Sequence, residues 1–341
     1  MAFANRSVLI YGVLFMALTV SHGATAQKLV IAHRGASAYL PEHTMEAKAM
    51  AYAMGADYVE QDVVMTRDNQ LIVLHDITLE RTTDVARQFP GRARADGSYY
   101  VVDFTLAEIR QLKVNEGVST RSGERQPVYS QRFPLDKSAF RINTLSEEIE
   151  LVQGLNRSTG KDVGIYPEVK SPAFHRTEGK DLSRALLEML KSYGYVSKQD
   201  KVFVQTFEFE ELKIIHDELQ PALGIELNLV QLMGDDEAYE WMLNAQGMTE
   251  LARYADGIGP EKAMIIPQDA ASTDLSVTNL VALAHANGLK VHPYTFRADP
   301  GQVPGYAADF ESMLRLFYFE AGVDGLFTDF PDRVVNFLQG E

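Results

Sequence analysis

The sequence predicts a single (β/α)₈ barrel, and three observations predict it. Eight short apolar runs recur along the 341 residues, most closing on a polar or charged residue. Helical patterns separate them, several ending on a glycine suited to a left-handed C-cap: Gly55, Gly194, Gly288 and Gly322. Strand alternating with helix means a parallel sheet, and eight parallel strands is the number that closes into a barrel. An open doubly wound sheet is the alternative; no Gly-x-Gly-x-x-Gly follows the first run, which weighs against it.

The strand candidates are LVIAH (29–33), DYVEQDVV (57–64), GIYPEVK (164–170), KVFVQTF (201–207), LGIELN (223–228), ADGIG (255–259), KVHPYTF (290–296) and DGLFTDF (324–330). The helical patterns are 43–55, 181–194, 208–219, 275–288 and 310–322. One further run, LIVLHD (71–76), follows the second strand after only TRDNQ. That gap is too short for a helical crossover and right for a hairpin, so 71–76 reads as an antiparallel return strand. About residues 77–143 the alternation breaks, which reads as an insertion over one face of the barrel. Capping boxes at Thr105/Glu108 and Thr144/Glu147 start helices near 106–112 and 145–155. The insertion's Arg87, Arg92 and Arg94 are given no specific role.

Residues 1–26 differ from the rest. Arg6 precedes the apolar stretch Val8–Val20, and Ala24 and Ala26 stand at A-x-A spacing, the layout of a cleavable signal peptide. The apolar core is short for a bilayer span; an uncleaved anchor is the alternative. A single domain over 27–341 would remain, its net charge moving from −15 to about −16 on loss of Arg6. So acidic a chain repels nucleic acid and anionic membrane surfaces. It contains no cysteine, so neither a disulfide framework nor a lipid-anchored cysteine is expected. The expectation is a periplasmic protein, or a secreted one, without stable membrane insertion; a homodimer is left open.

In a barrel of this kind the carboxyl ends of the strands converge on the active site. Those ends carry His33, Arg34, Glu60, Asp62, Glu168, Lys170, Gln205, Glu226, Asn228, Phe296 and Asp329. Glu60 and Asp62, two apart on one strand, leave by the same face about 7 Å apart at Cα. With Glu168 they form an all-oxygen set, which suits Ca²⁺ or Mg²⁺ better than zinc; Ca²⁺ is the first expectation and Mg²⁺ the alternative. The alternative pairs these acids with Arg34 and Lys170 as salt bridges. A hairpin turning near Asp68 sets residue 75 across from about residue 61, bringing His75 level with the acids, while His33 ends the adjoining strand. Two histidines and two cations around a metal site suit chemistry at a phosphoryl oxygen, with His33 and His75 as acid and base and Arg34 and Lys170 on the anion.

These residues resemble the glycerophosphodiester phosphodiesterase family, and most of all its exported periplasmic branch. The matching pieces are AHRGASAYLPEHT, GADYVEQDVVMTRDNQLIVLHD, LERTTD, YPEVK, VFVQTF, VHPYTF and GVDGLFTDFPD, in order along nearly the whole of 27–341. The resemblance implies a small-molecule glycerophosphodiester substrate, such as glycerophosphocholine or glycerophosphoethanolamine, and glycerol 3-phosphate as product. It implies Glu60, Asp62 and Glu168 as ligands of a divalent metal and His33 and His75 as the acid–base pair. It further implies Arg34 and Lys170 on the phosphate, with Glu42, Gln205 and Phe296 contributing to the substrate pocket. His43 stands where the family usually has asparagine, a departure within LPEHT. Two rivals accompany this expectation: a barrel that cleaves membrane phospholipids, and a binding protein that has kept the barrel.

Overall fold

A computed structural model of the chain describes residues 27–119, 125–268 and 275–341. The expected signal peptide lies outside them. Eight parallel strands form the barrel: β1 (Leu29–Ala32), β2 (Tyr58–Met65), β3 (Gly164–Val169), β4 (Phe203–Thr206), β5 (Asn228–Met233), β6 (Gly257–Pro260), β7 (Lys290–Val291) and β8 (Gly325–Thr328). They pair in the order β7-β6-β5-β4-β3-β2-β1-β8. Backbone hydrogen bonds from Asp324 N to Val291 O (3.0 Å) and from Phe296 N to Phe327 O (2.8 Å) join the two ends. Helices cover the outside, and no described helix is long and apolar enough to cross a membrane.

Both capping boxes form: Thr105 starts Leu106–Ile109, shorter than expected, and Thr144 starts Leu145–Thr159, longer than expected. The return strand Leu71–Val73 pairs antiparallel with β2, Val63 opposite Val73 and Met65 opposite Leu71, a register centred on Asp68. The fifth strand corrects the sequence reading: it runs Asn228–Met233, not 223–228. Gly224, at φ 64°, caps the preceding helix in the left-handed region, so the chain becomes extended only after it. Glu226 and Asn228 therefore stand at the amino end of β5, away from the site, where Asn228 Nδ2 donates to Lys198 O at 2.9 Å.

The barrel interior is filled by Ile31, Tyr58, Tyr166, Phe203, Val230 and Phe327. Tyr166 stacks on Phe203 and meets Phe327 edge-on, both at 5.0 Å between ring centres. Gly164 makes this possible, because a Cβ there would lie 2.3 Å from the Tyr58 ring. This aromatic layer is the floor beneath the polar mouth.

The segment after the return strand packs its own small core. Leu79, Val85, Val101, Phe104, Ile109, Leu112, Val114, Phe140 and Ile142 gather on Val64, Ile72 and Leu74. Two of the three arginines given no role in the sequence reading, Arg92 and Arg94, hold this segment together, while Arg87 pairs with the nearby Asp84. Arg92 lies 4.4 Å over the Phe104 ring and bonds Glu108; Arg94 bonds Asp103 and reaches Glu178 beyond β3.

Candidate active site

Backbone register assembles the acids. Asp62 on β2 stands level with Glu168 on β3, and Glu168 level with Gln205 on β4. Glu60, two residues before Asp62, shares its face, and Gln205 Nε2 donates to Glu60 Oε1 at 3.1 Å. One oxygen from each of Glu60, Asp62 and Glu168 lies within 4.8 Å of the others, and all three residues are buried.

Three buried carboxylates this close cannot all stay charged without compensation. Burial, then the charge of Asp62, pushes Glu60 well above the usual carboxylate range. Burial with the same neighbour raises Glu168 to about 8, against the pull of Lys170. Asp62 goes the other way: burial opposes its charge, but Lys170 and His43 hold it well below the usual range. Lys170 Nζ is 2.8 Å from Glu168 Oε1, and Arg34 Nε is 3.5 Å from Asp62 Oδ2. Salt bridging is thus real but incomplete, since Asp62 Oδ1 is buried without a hydrogen-bond partner. An orphaned carboxylate oxygen among mutually repelling oxygen donors fits a hard divalent cation.

The His-Arg-Gly turn at the end of β1 is shaped by two positive φ angles, 58° at Arg34 and 90° at Gly35. At Gly35 a Cβ would lie 2.9 Å from the backbone of Ala47, so only glycine fits. The turn lets Arg34 N donate to Glu60 Oε2 at 2.8 Å and swings its side chain over the acids. His33 is fixed from behind: its Nδ1 lies 2.6 Å from Asp329 Oδ1. Asp329 opposes burial with Arg297, His33 and Arg132, which hold it well below the usual range. An ionised Asp329 assigns the proton to Nδ1, so Nε2, 3.9 Å from Glu60 Oε2, faces the cavity as a lone pair. Burial, then Arg34, lowers His33 to about 4.

His75 repeats the arrangement. Its Nδ1 lies 2.5 Å from Asp76 Oδ1, and Arg81 binds the same carboxylate. The His75 interaction and Arg81 overcome burial to hold Asp76 at about 2, while burial lowers His75 itself. A cavity of about 220 Å³ joins both histidines with Arg34, the three acids, Lys170 and Gln205.

The model of the glycerophosphoryl diester phosphodiesterase family matches residues 33–333. The chain belongs to that family. It is 47% identical over 332 residues to a glycerophosphodiester phosphodiesterase of Haemophilus influenzae, covering 92% of this chain and 91% of the relative. A protein of the same name from Treponema pallidum is 40% identical over 348 residues, 97% of each chain. Among solved structures, a putative glycerophosphoryl diester phosphodiesterase of Silicibacter pomeroyi shares the fold with a TM-score of 0.67 at 24% identity, covering 92% of this chain and 94% of that one. An Oleispira antarctica phosphodiesterase, solved in complex with the product sn-glycerol-3-phosphate, does so with a TM-score of 0.60 at 22% identity, covering 92% and 97%. The protein is therefore an enzyme of the phosphoric diester hydrolase class.

In this phosphodiesterase the expected substrate-pocket residues separate. Gln205 lines the cavity. Glu42 spends its carboxylate on Arg34 (3.0 Å) and Arg81, so it positions Arg34 from outside that cavity. Phe296 is a correction: its side chain is fully buried, 4.8 Å from the Phe317 ring, in the core under the helices. Its neighbours Tyr294, Thr295 and Arg297 line the cavity instead.

Sequence reasoning missed the residues that hold others in place. Asp329 stands among the strand ends without an expected role, and Asp76 and Arg81 are not among the expected site residues; only the His-Asp adjacency in LIVLHD hints at Asp76. His43 was noted as a departure, and it has a task. Its Nε2 lies 2.6 Å from Asp62 Oδ2 and its Nδ1 3.1 Å from Lys48 Nζ, which also pairs with Glu148 at 3.1 Å. Burial, then Lys48, lowers His43 to about 3, so a neutral ring accepts from Lys48 and donates to Asp62.

Proposed function

We propose that the enzyme hydrolyses glycerophosphodiesters, such as glycerophosphocholine and glycerophosphoethanolamine, to glycerol 3-phosphate and an alcohol, with two histidines as acid and base. The observation that carries this reading is the pair of histidines, each held at Nδ1 by an ionised carboxylate, facing one cavity with the three acids, Arg34 and Lys170. Such a ring presents Nε2 for proton transfer, and each transfer contributes about 10²–10⁴ in rate.

Arg34 and Lys170 bind the phosphate oxygens, the first as a fork and the second as a point charge. One histidine takes the proton from the glycerol hydroxyl beside the ester as that oxygen attacks phosphorus. The other gives a proton to the departing alcohol oxygen as its bond to phosphorus breaks. Water then opens the cyclic phosphate with the two histidines in reversed roles. The anionic diester favours the protonated form of the ring it approaches, against the burial that keeps both rings neutral in its absence. Glu60, Asp62 and Glu168 would hold the divalent cation, Ca²⁺ as the first choice and Mg²⁺ as the alternative, since both take oxygen donors; when bound, it supplies charge neutralisation for the phosphate.

The test is release of glycerol 3-phosphate from glycerophosphocholine by the purified chain lacking residues 1–26. Release that EDTA abolishes and Ca²⁺ or Mg²⁺ restores is expected; a folded protein that releases none with any metal would end this reading. We also propose periplasmic export, supported by the A-x-A layout of residues 1–26. A mature chain whose amino terminus is sequenced as Gln27 is the expected result, and an intact Met1 in the periplasmic fraction would contradict it.

A further inference from the structure

A diester has two arms, and the histidines stand between two cavities. His33, Arg34, His75 and Arg297 border both the 220 Å³ cavity over the acids and a second one of about 340 Å³ beneath the insertion. From the insertion the second cavity receives Glu116, Val128, Tyr129 and Arg132. The arm whose own hydroxyl attacks must stay beside Glu60, Asp62 and Glu168. The departing alcohol then leaves by the other side.

The charges bordering the second cavity are matched with one exception. Arg34 and Arg81 hold Glu42, Arg81 also holds Asp76, Arg132 holds Asp299 and Asp329, and Arg297 holds Asp329. Glu116 is 5% exposed and makes no ion pair among the described residues, and its Oε2 has no hydrogen-bond partner. Burial raises its carboxyl to about 8 against the pull of Arg132, with Glu42 and Asp329 adding to the rise. A buried acceptor left unsatisfied is costly unless a ligand completes it. Val128, half exposed, adds apolar contact along the same wall.

We propose that this cavity is a subsite for the leaving alcohol, where Glu116 recognises a positively charged head group that carries N–H donors, a primary ammonium. The proposal rests on the phosphodiesterase reading and deepens it: cationic head groups are selected, not merely released.

Two measurements test it. In the first, kcat/KM is compared for glycerophosphoethanolamine and the uncharged-head-group diester glycerophosphoglycerol, in the wild type and in Glu116→Gln, which keeps the shape but cannot ionise beside a cation. A loss of about tenfold on glycerophosphoethanolamine is expected, with a change of less than about twofold on glycerophosphoglycerol. Equal losses on both, or none on either, would overturn the proposal. In the second, binding of ethanolamine and of its neutral isostere propan-1-ol to the wild-type enzyme is measured by calorimetry. This involves no turnover and so judges the subsite even if the activity reading fails. Ethanolamine is expected to bind about tenfold more tightly; equal affinity, or no binding of ethanolamine, would sink the subsite while leaving the hydrolysis untouched.

Discussion

Asp329 closes the run DGLFTD, and in the sequence it has no more claim on function than Glu226 or Asn228, which close another. In the barrel these three part company. Asp329 lies beside β1 with His33 and takes Arg132 and Arg297 on its other oxygen, while Glu226 and Asn228 sit at the far end of β5. The Nδ1 contact of a catalytic histidine selects its tautomer and steadies its cation. Asp329→Asn is therefore expected to lower kcat by about 10²–10⁴ with a KM change of only a few fold. A comparable rise in KM with kcat preserved would mean that Asp329 serves substrate binding and not His33. The residues touching the cavity were legible because their types are chemically distinctive; the residues behind them were not, because a carboxylate looks the same wherever it is spent.

At the scale of elements, hydrophobic periodicity and caps located most strands and helices, and Thr144 with Glu147 marked a helix start to the residue. The errors have local causes. The left-handed Gly224 delays β5 to Asn228, and the irregular segment after β7 buries Phe296 in the core while Tyr294, Thr295 and Arg297 line the cavity. The second correction has a measurable consequence. Phe296→Ala is expected to cost about 3–5 kcal/mol of stability by emptying its site against Phe317, read by denaturant unfolding. The folded enzyme should keep its KM; a KM raised about tenfold at unchanged stability would return Phe296 to the pocket wall.

For the whole molecule, eight apolar runs with helices between them and a return strand after the second were enough to predict the barrel. That pattern is local, set by the period of each element, so the sequence by itself determined the fold class, and the spacing of Glu60, Asp62 and His75 determined that acids and a histidine would share a face. The tertiary structure alone decided which of the remaining charges meet. Asp62 and Glu168 are over a hundred positions apart and become neighbours only through the register of β2 on β3. Asp329 reaches His33 because β8 lies beside β1, and Glu116 faces the second cavity because the insertion packs its own core against the return strand. Periodicity is written along the chain, whereas register and closure arise from packing between distant segments, and it is these that place each charge.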